Sequence, residues 1–145
     1  MIPFTIEEGR LDDVLEVLAL IPEFENIPDA VSIQSRLAGK PHLILSARND
    51  CGPLGFKIGY ERDGKFYSWL GAVDPAFRTL SVGNRLADEQ ERWVKDHGYQ
   101  YLWMKTRNCF PAMLIMALRR GFQIQQIIPY EDHLQNRIIL EKTLV

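Results

Sequence analysis

Residues 73–86, Val-Asp-Pro-Ala-Phe-Arg-Thr-Leu-Ser-Val-Gly-Asn-Arg-Leu, bring together the residue types that bind an anion. They leave an aromatic and apolar segment (Phe66, Tyr67, Trp69, Leu70), cross a turn at Asp74-Pro75, and enter a helical pattern. A strand that turns into a helix leaves the first helical N–H groups unpaired at the positive end of the dipole, where a phosphate can bind. Gly83 and the small Ser81 let backbone approach a ligand closely, and Arg78 adds a fixed positive charge. On this reading the backbone N–H groups of Leu80, Ser81, Val82, Gly83 and Asn84 do most of the holding. Asn108, after a later apolar segment, can either cap the next helix or hydrogen-bond a ligand.

The elements that must position these residues follow from the hydrophobic period. Phe4–Glu7 alternates apolar and polar as a strand does, and Leu11, Val14, Leu15 and Leu18 recur at helical spacing. Pro22 stops that helix, and Asp29 can cap a second one through about Leu37. Strands are expected at His42–Ala47, Leu54–Glu61 and Phe66–Val73, the last two joined by a tight turn at Asp63-Gly64. Gly71 inside the third of these suggests a bulge, or close approach by another backbone or a ligand. Helices follow over Val82–His97 and from Pro111 to about Arg120, each stopped by a glycine, with the strand Tyr101–Thr106 between them. Strands at Phe122–Pro129 and Arg137–Leu144 close the chain. With no linker, repeat or low-complexity stretch, residues 1–145 are expected to form a single mixed α/β domain.

Composition excludes several classes of function. Hydrophobic residues make up 46% and charged residues 25%, ordinary for a globular chain, and a net charge of −2 argues against nucleic-acid binding. No apolar run has the length of a membrane span, and the Met-Ile-Pro-Phe start lacks the charged and apolar regions of a leader, so the expected location is cytoplasmic. Cys51 and Cys109 are too few for a disulfide framework, and no Cys/His spacing suits zinc, so no metal is expected. Cys109 has no His or Asp in a recognisable triad context and reads as an inert thiol. The first 35 residues hold eight acids (Glu7, Glu8, Asp12, Asp13, Glu16, Glu23, Glu25, Asp29) against Arg10 alone. These read as a solvated face or as an acidic entrance for a cationic partner.

The segment Arg78-Thr79-Leu80-Ser81-Val82-Gly83 resembles the Q/R-x-x-G-x-G/A loop of GNAT-type N-acetyltransferases. Thr106-Arg107-Asn108, followed by an apolar helix ending in Arg119-Arg120-Gly121-Phe122, is similar to that family's second cofactor segment. The resemblance implies a mixed, mostly antiparallel twisted sheet of about seven strands flanked by about four helices. It implies acetyl-CoA as co-substrate, with cofactor contacts at Ala72, Val73, Arg78, Thr79, Leu80, Ser81, Val82, Gly83, Asn84 and Asn108, and an amine as acceptor. A backbone N–H between Leu70 and Val73 would polarise the thioester. Where many members carry a Tyr that protonates the leaving thiolate, this chain has Ala117. The residues left as candidates for proton transfer are Glu23, Glu25 and Glu61 as base, and Tyr67 and Tyr130 as acid. Ala117 favours the alternative of a non-catalytic acyl-CoA-binding or interaction module, and a different small nucleotide binder is a third reading. Edge strands of the last hairpin can pair between copies as a homodimer.

Overall fold

The computed structural model describes residues 3–21 and 27–144, except for the side chains of Thr79 and Leu80. In chain order the elements are β1 Thr5–Glu8, α1 Leu11–Leu18, α2 Ala30–Leu37, β2 His42–Asn49, β3 Gly52–Arg62 and β4 Lys65–Val73. After a 3₁₀ turn at Pro75–Leu80 come α3 Val82–Asp96, β5 Tyr101–Arg107, α4 Pro111–Arg119 and β6 Gln123–Ile128. A second 3₁₀ turn, His133–Gln135, precedes β7 Arg137–Thr143. The seven strands form one sheet in the order β1-β2-β3-β4-β5-β7-β6. All neighbours are antiparallel except β4 and β5. The chain between those two crosses over through α3, the connection that parallel neighbours need. The seven strands and four helices are those the resemblance implies.

Local chemistry accounts for the boundaries. The Asp29 carboxylate accepts from the Ser32 N–H at 2.8 Å and starts α2. Asp63 and Gly64 both adopt positive φ, 55° and 79°, the geometry whose twist suits a two-residue hairpin between β3 and β4. Apolar side chains fall on both faces of the sheet. Val14, Val17, Leu18, Ile33 and Leu37 bring α1 and α2 onto Phe56, Ile58, Tyr60 and Tyr67. Val82, Leu86, Val94 and Ala117 bring α3 and α4 onto Phe66, Leu102 and Leu140 on the other. The buried Asp13 accepts from Arg48 and from the Ser46 hydroxyl, at 2.5 and 3.1 Å, which fastens α1 to β2.

Two sequence readings change. Gly71 is not the bulge: Ile58 pairs with Leu70 and Gly59 with Ser68, so Trp69 is the extra residue on β4. The turn from β4 into α3 is also longer than expected, because Pro75–Leu80 forms a helical turn of its own before the chain reverses at Ser81. The bulge has a consequence for β5. The β4–β5 ladder holds only Phe66↔Leu102, Tyr67↔Trp103 and Ser68↔Met104, although β4 runs on to Val73 and β5 to Arg107. Beyond Ser68 the sheet is forked.

Candidate active site

The fork exposes an edge of β4. The Asp74 N–H donates to the Leu54 carbonyl of β3 at 2.7 Å, and N–H groups alternate sides along a strand. The N–H groups of Val73 and Gly71 therefore point away from β3, into the fork. The Val73 carbonyl points the same way and accepts from Arg78 Nε at 3.2 Å, which keeps that guanidinium beside the fork. The region between Leu70 and Val73 thus offers two donors where a thioester oxygen could sit.

The start of α3 stands next to them. The first bond back along this helix runs from Arg85 N–H to the Ser81 carbonyl, at 3.1 Å. The N–H groups of Val82, Gly83 and Asn84 precede it and face out of the helix end. Ser81 caps α3 with φ 62° and ψ 22°, and its side chain makes no cap hydrogen bond. A side chain in that left-handed region costs about 1–2 kcal/mol, part of which glycine returns as chain entropy. Ser81→Gly should therefore raise stability by about 0.5–1 kcal/mol, roughly 2 °C in a melt, without loss of anion binding.

A groove of about 810 Å³ continues from this helix end between α3 and α4, lined by Asn84, Asp88, Ile115, Met116, Arg119 and Arg120 among others. Arg120 sets its width. Its guanidinium donates to Asp88 at 2.8 Å and Glu91 at 2.7 Å, and Lys142 reaches the same Glu91 at 2.6 Å. Arg120 is therefore a clamp between α4 and α3. Arg85 lies over the Phe4 ring, 4.4 Å from its centroid, and not at the helix end.

Sequence reading missed Lys57 on β3. It pairs with Gly71, and a side-chain carbon on Gly71 would lie 3.7 Å from its Nζ. Burial, with repulsion from Arg120 and against attraction from Glu91, pulls its pKa down to about 8. No hydrogen bond or ion pair holds the amine among the described residues. Below pH 8 the folded protein must carry a half-buried charge that the unfolded chain, with a value of 10.5, holds in water. Stability from this group accordingly rises with pH between those two values. Lys57→Met should stabilise by on the order of 2 kcal/mol at pH 7, and denaturant titrations across pH should show the gain fading by pH 10–11.

The other expected residues are dispersed. Asn108 does not cap α4, whose N-cap is Phe110; its amide donates instead to the His133 carbonyl at 2.9 Å. Asn136 joins Asn108 to Tyr130, accepting from both backbones at the open end of the fork. Tyr67 is buried at the closed end, stacked on Trp103 at 4.1 Å. Its pKa is raised by burial first and by Tyr60, against the pull of Arg62, Arg36 and Arg137. Glu61 accepts from the Tyr99 hydroxyl at 2.8 Å, also at the closed end. Ala117 is fully buried in the core and carries no proton. Glu23 and Glu25 lie outside the described residues. Both cysteines are free, and no cluster that could hold a metal occurs among the described residues.

The family model for the acetyltransferase (GNAT) domain matches residues 34–106, half of the chain. The chain belongs to that family. Ard1 of Thermoplasma volcanium superposes with a TM-score of 0.84 at 18% identity, over 98% of each chain. A ribosomal-protein alanine N-acetyltransferase of Escherichia coli gives 0.80 at 18%, over 98% of this chain and 94% of that one. A GNAT acetyltransferase of Elizabethkingia anophelis with acetyl-CoA bound gives 0.76 at 19%, over 97% and 98%. No curated protein matches the chain significantly in sequence.

Proposed function

We propose that the protein transfers an acetyl group from acetyl-CoA to an amine by direct attack in a ternary complex. The observation that carries this reading is the fork itself, with two strand N–H donors adjoining the open N-terminus of α3. The residues present suit acetyl-CoA. Among the described residues a side-chain carbon on Gly83 would meet only Val73 and Met116, at 3.8 and 4.0 Å, which leaves room there for a bulky anion. Backbone from Thr79 to Asn84, with Arg78, would hold the pyrophosphate; Ala72, Val73 and Asn108 would flank the arm. Acetyl-CoA supplies the activated thioester: the amine nitrogen bonds to the carbonyl carbon, the C–S bond breaks, and the sulfur leaves with the pair and ends protonated.

The chain's contribution is placement and polarisation. Gly71 and Val73 N–H groups face the position of the carbonyl oxygen, where preorganised donors are worth several kcal/mol in the transition state. Tyr67 remains protonated through the neutral range, so it suits donation of a proton and not its removal. Tyr130 is the other hydroxyl available for that role, and Glu23 and Glu25 are the carboxylates proposed as base.

Acetyl-CoA should raise the melting temperature in a dose-dependent way, and free thiol should appear when a suitable amine is added. No shift at saturating acetyl-CoA would overturn the reading; a shift without thiol release across amines would leave only the acyl-CoA-binding module. We place the protein in the cytoplasm, read residues 1–145 as one domain on the strength of the continuous sheet, and expect no nucleic-acid partner. No helix among the described residues is long and apolar enough to cross a membrane. A homodimer finds support in β6, an outermost strand with Ile124 and Ile127 exposed, and gel filtration tests it.

A further inference from the structure

On the face of the fork opposite α3, cations gather, and no carboxylate pairs with them among the described residues. Lys105 follows Met104, where the β4–β5 ladder ends, and shares a face of β5 with Trp103 and Arg107. Arg107 stands directly across from Arg137 on β7. Arg62, from the end of β3, lies 5.9 and 5.5 Å from the ring centroids of Tyr67 and Trp103, and Lys105 lies 5.7 and 5.6 Å from the same two. From α2, Arg36 covers Trp69 at 4.7 Å. These groups feel one another: burial first, then Arg62, Arg137 and Arg36, lower the pKa of Lys105.

None of Arg36, Arg62, Lys105 or Arg137 forms an ion pair among the described residues. Arg48, Lys65, Arg120 and Lys142, elsewhere on the sheet and helices, each meet a carboxylate. Like charges across adjacent strands cost stability, and cation–π contacts offset that cost without neutralising it. Two of the acids expected to draw a cationic acceptor are engaged elsewhere. Asp13 and Glu7 both turn to Arg48 on β2.

We propose that this cluster binds the anionic group of the acceptor, which is then a small amine carrying a carboxylate or a phosphate. The inference rests on the acetyl-transfer reading and on the opposition of the two faces. The α3 face holds the pyrophosphate, so the amine enters from the other face and meets the cations on its way to the fork. The aromatic floor of Tyr67, Trp69 and Trp103 excludes water and strengthens the attraction.

The test separates this claim from the transfer itself. N-acetyl-L-phenylalanine and its uncharged methylamide are titrated into the protein by calorimetry, with and without CoA, as product-like probes that need no turnover. The acid should bind at least tenfold more tightly, and Arg137→Gln and Lys105→Gln should each remove most of that preference. Arg92→Gln, on α3, serves as control and should retain it. In parallel, acetylation rates are compared for phenylalanine against phenylalaninamide and for O-phosphoethanolamine against ethanolamine. The first pair reports a carboxylate, the second a phosphate. Equal binding of acid and methylamide, binding of neither, or a preference untouched by both substitutions overturns the proposal. Failure of acetyl-CoA to bind overturns the transfer reading alone, since the calorimetric comparison is still read on the free protein.

Discussion

Gly83→Asp should weaken acetyl-CoA binding on the order of 100-fold while leaving the protein as stable as before, or slightly more so. Gly83 occupies the first turn of α3, and a side-chain carbon there meets its nearest neighbours at 3.8 and 4.0 Å, ordinary contact distances. The new carboxylate therefore fits. In the first turn it faces the positive end of the helix dipole, a placement worth about 0.3–1 kcal/mol. The same N–H groups of Val82, Gly83 and Asn84 then satisfy an internal anion and repel an external one. A phosphate held ~5 Å from the carboxylate, at an effective dielectric of about 20, loses roughly 3 kcal/mol, or on the order of 100-fold in affinity. Gly83→Ala adds the carbon without the charge and should keep binding within a few-fold. Calorimetric titration with acetyl-CoA and a melt of each variant read both effects. Unchanged affinity in the aspartate variant would move the anion site away from this helix.

Legibility in the sequence divides along a physical line. Features set by a residue and its chain neighbours were readable: the Asp29 cap, the Asp63-Gly64 turn, and helix boundaries stopped by Gly98 and Gly121. The turn from β4 into the start of α3 was readable for the same reason, since a helix N-terminus is a local object. The fork was not. It depends on which residue of β4 is left over when β3 and β4 pair, and Trp69 has no composition that marks it as extra. Gly71 drew the bulge reading because glycine tolerates irregularity, yet its place is opposite Lys57, whose side chain covers it. A lysine in an alternating strand ordinarily faces solvent. The available signal was the flanking pair Gly55 and Gly59, which leaves that face of β3 bare for a helix and so encloses whatever lies between them. The cation cluster assembles residues from α2, β3, β5 and β7, and no spacing along the chain announces it.

Gly59→Ala should be the most destabilising single-methyl change in this part of the sheet. The added carbon would stand 2.4 Å from Phe66 Cε2, 2.8 Å from the Tyr67 carbonyl oxygen and 3.0 Å from Gln90 Nε2. Gln90 could yield, since its buried amide nitrogen has no hydrogen-bond partner to lose among the described residues. The other two neighbours are fixed: the Phe66 ring packs against Trp93 and Tyr99 at 5.5 and 5.3 Å, and the Tyr67 oxygen belongs to the backbone of β4. Overpacking of this kind costs about 3 kcal/mol, which in a chain of this length lowers the melting temperature by roughly 10 °C. The position couples that cost to function. Gly59 pairs with Ser68 on one side of the bulge, and Ser68 with Met104 at the last rung before the fork. A displaced Tyr67 carbonyl must shift that rung, and with it the direction of the Gly71 and Val73 donors. The variant should lose acetyl transfer by tenfold or more at temperatures where it remains folded, while acetyl-CoA affinity, set at the start of α3, falls less. Gly64→Ala, where no atom lies within 4 Å of the added carbon but φ is 79°, provides the contrast: strain in a surface turn lowers stability by about 1 kcal/mol and leaves turnover intact. Equal losses of turnover in both variants would detach the bulge from the chemistry.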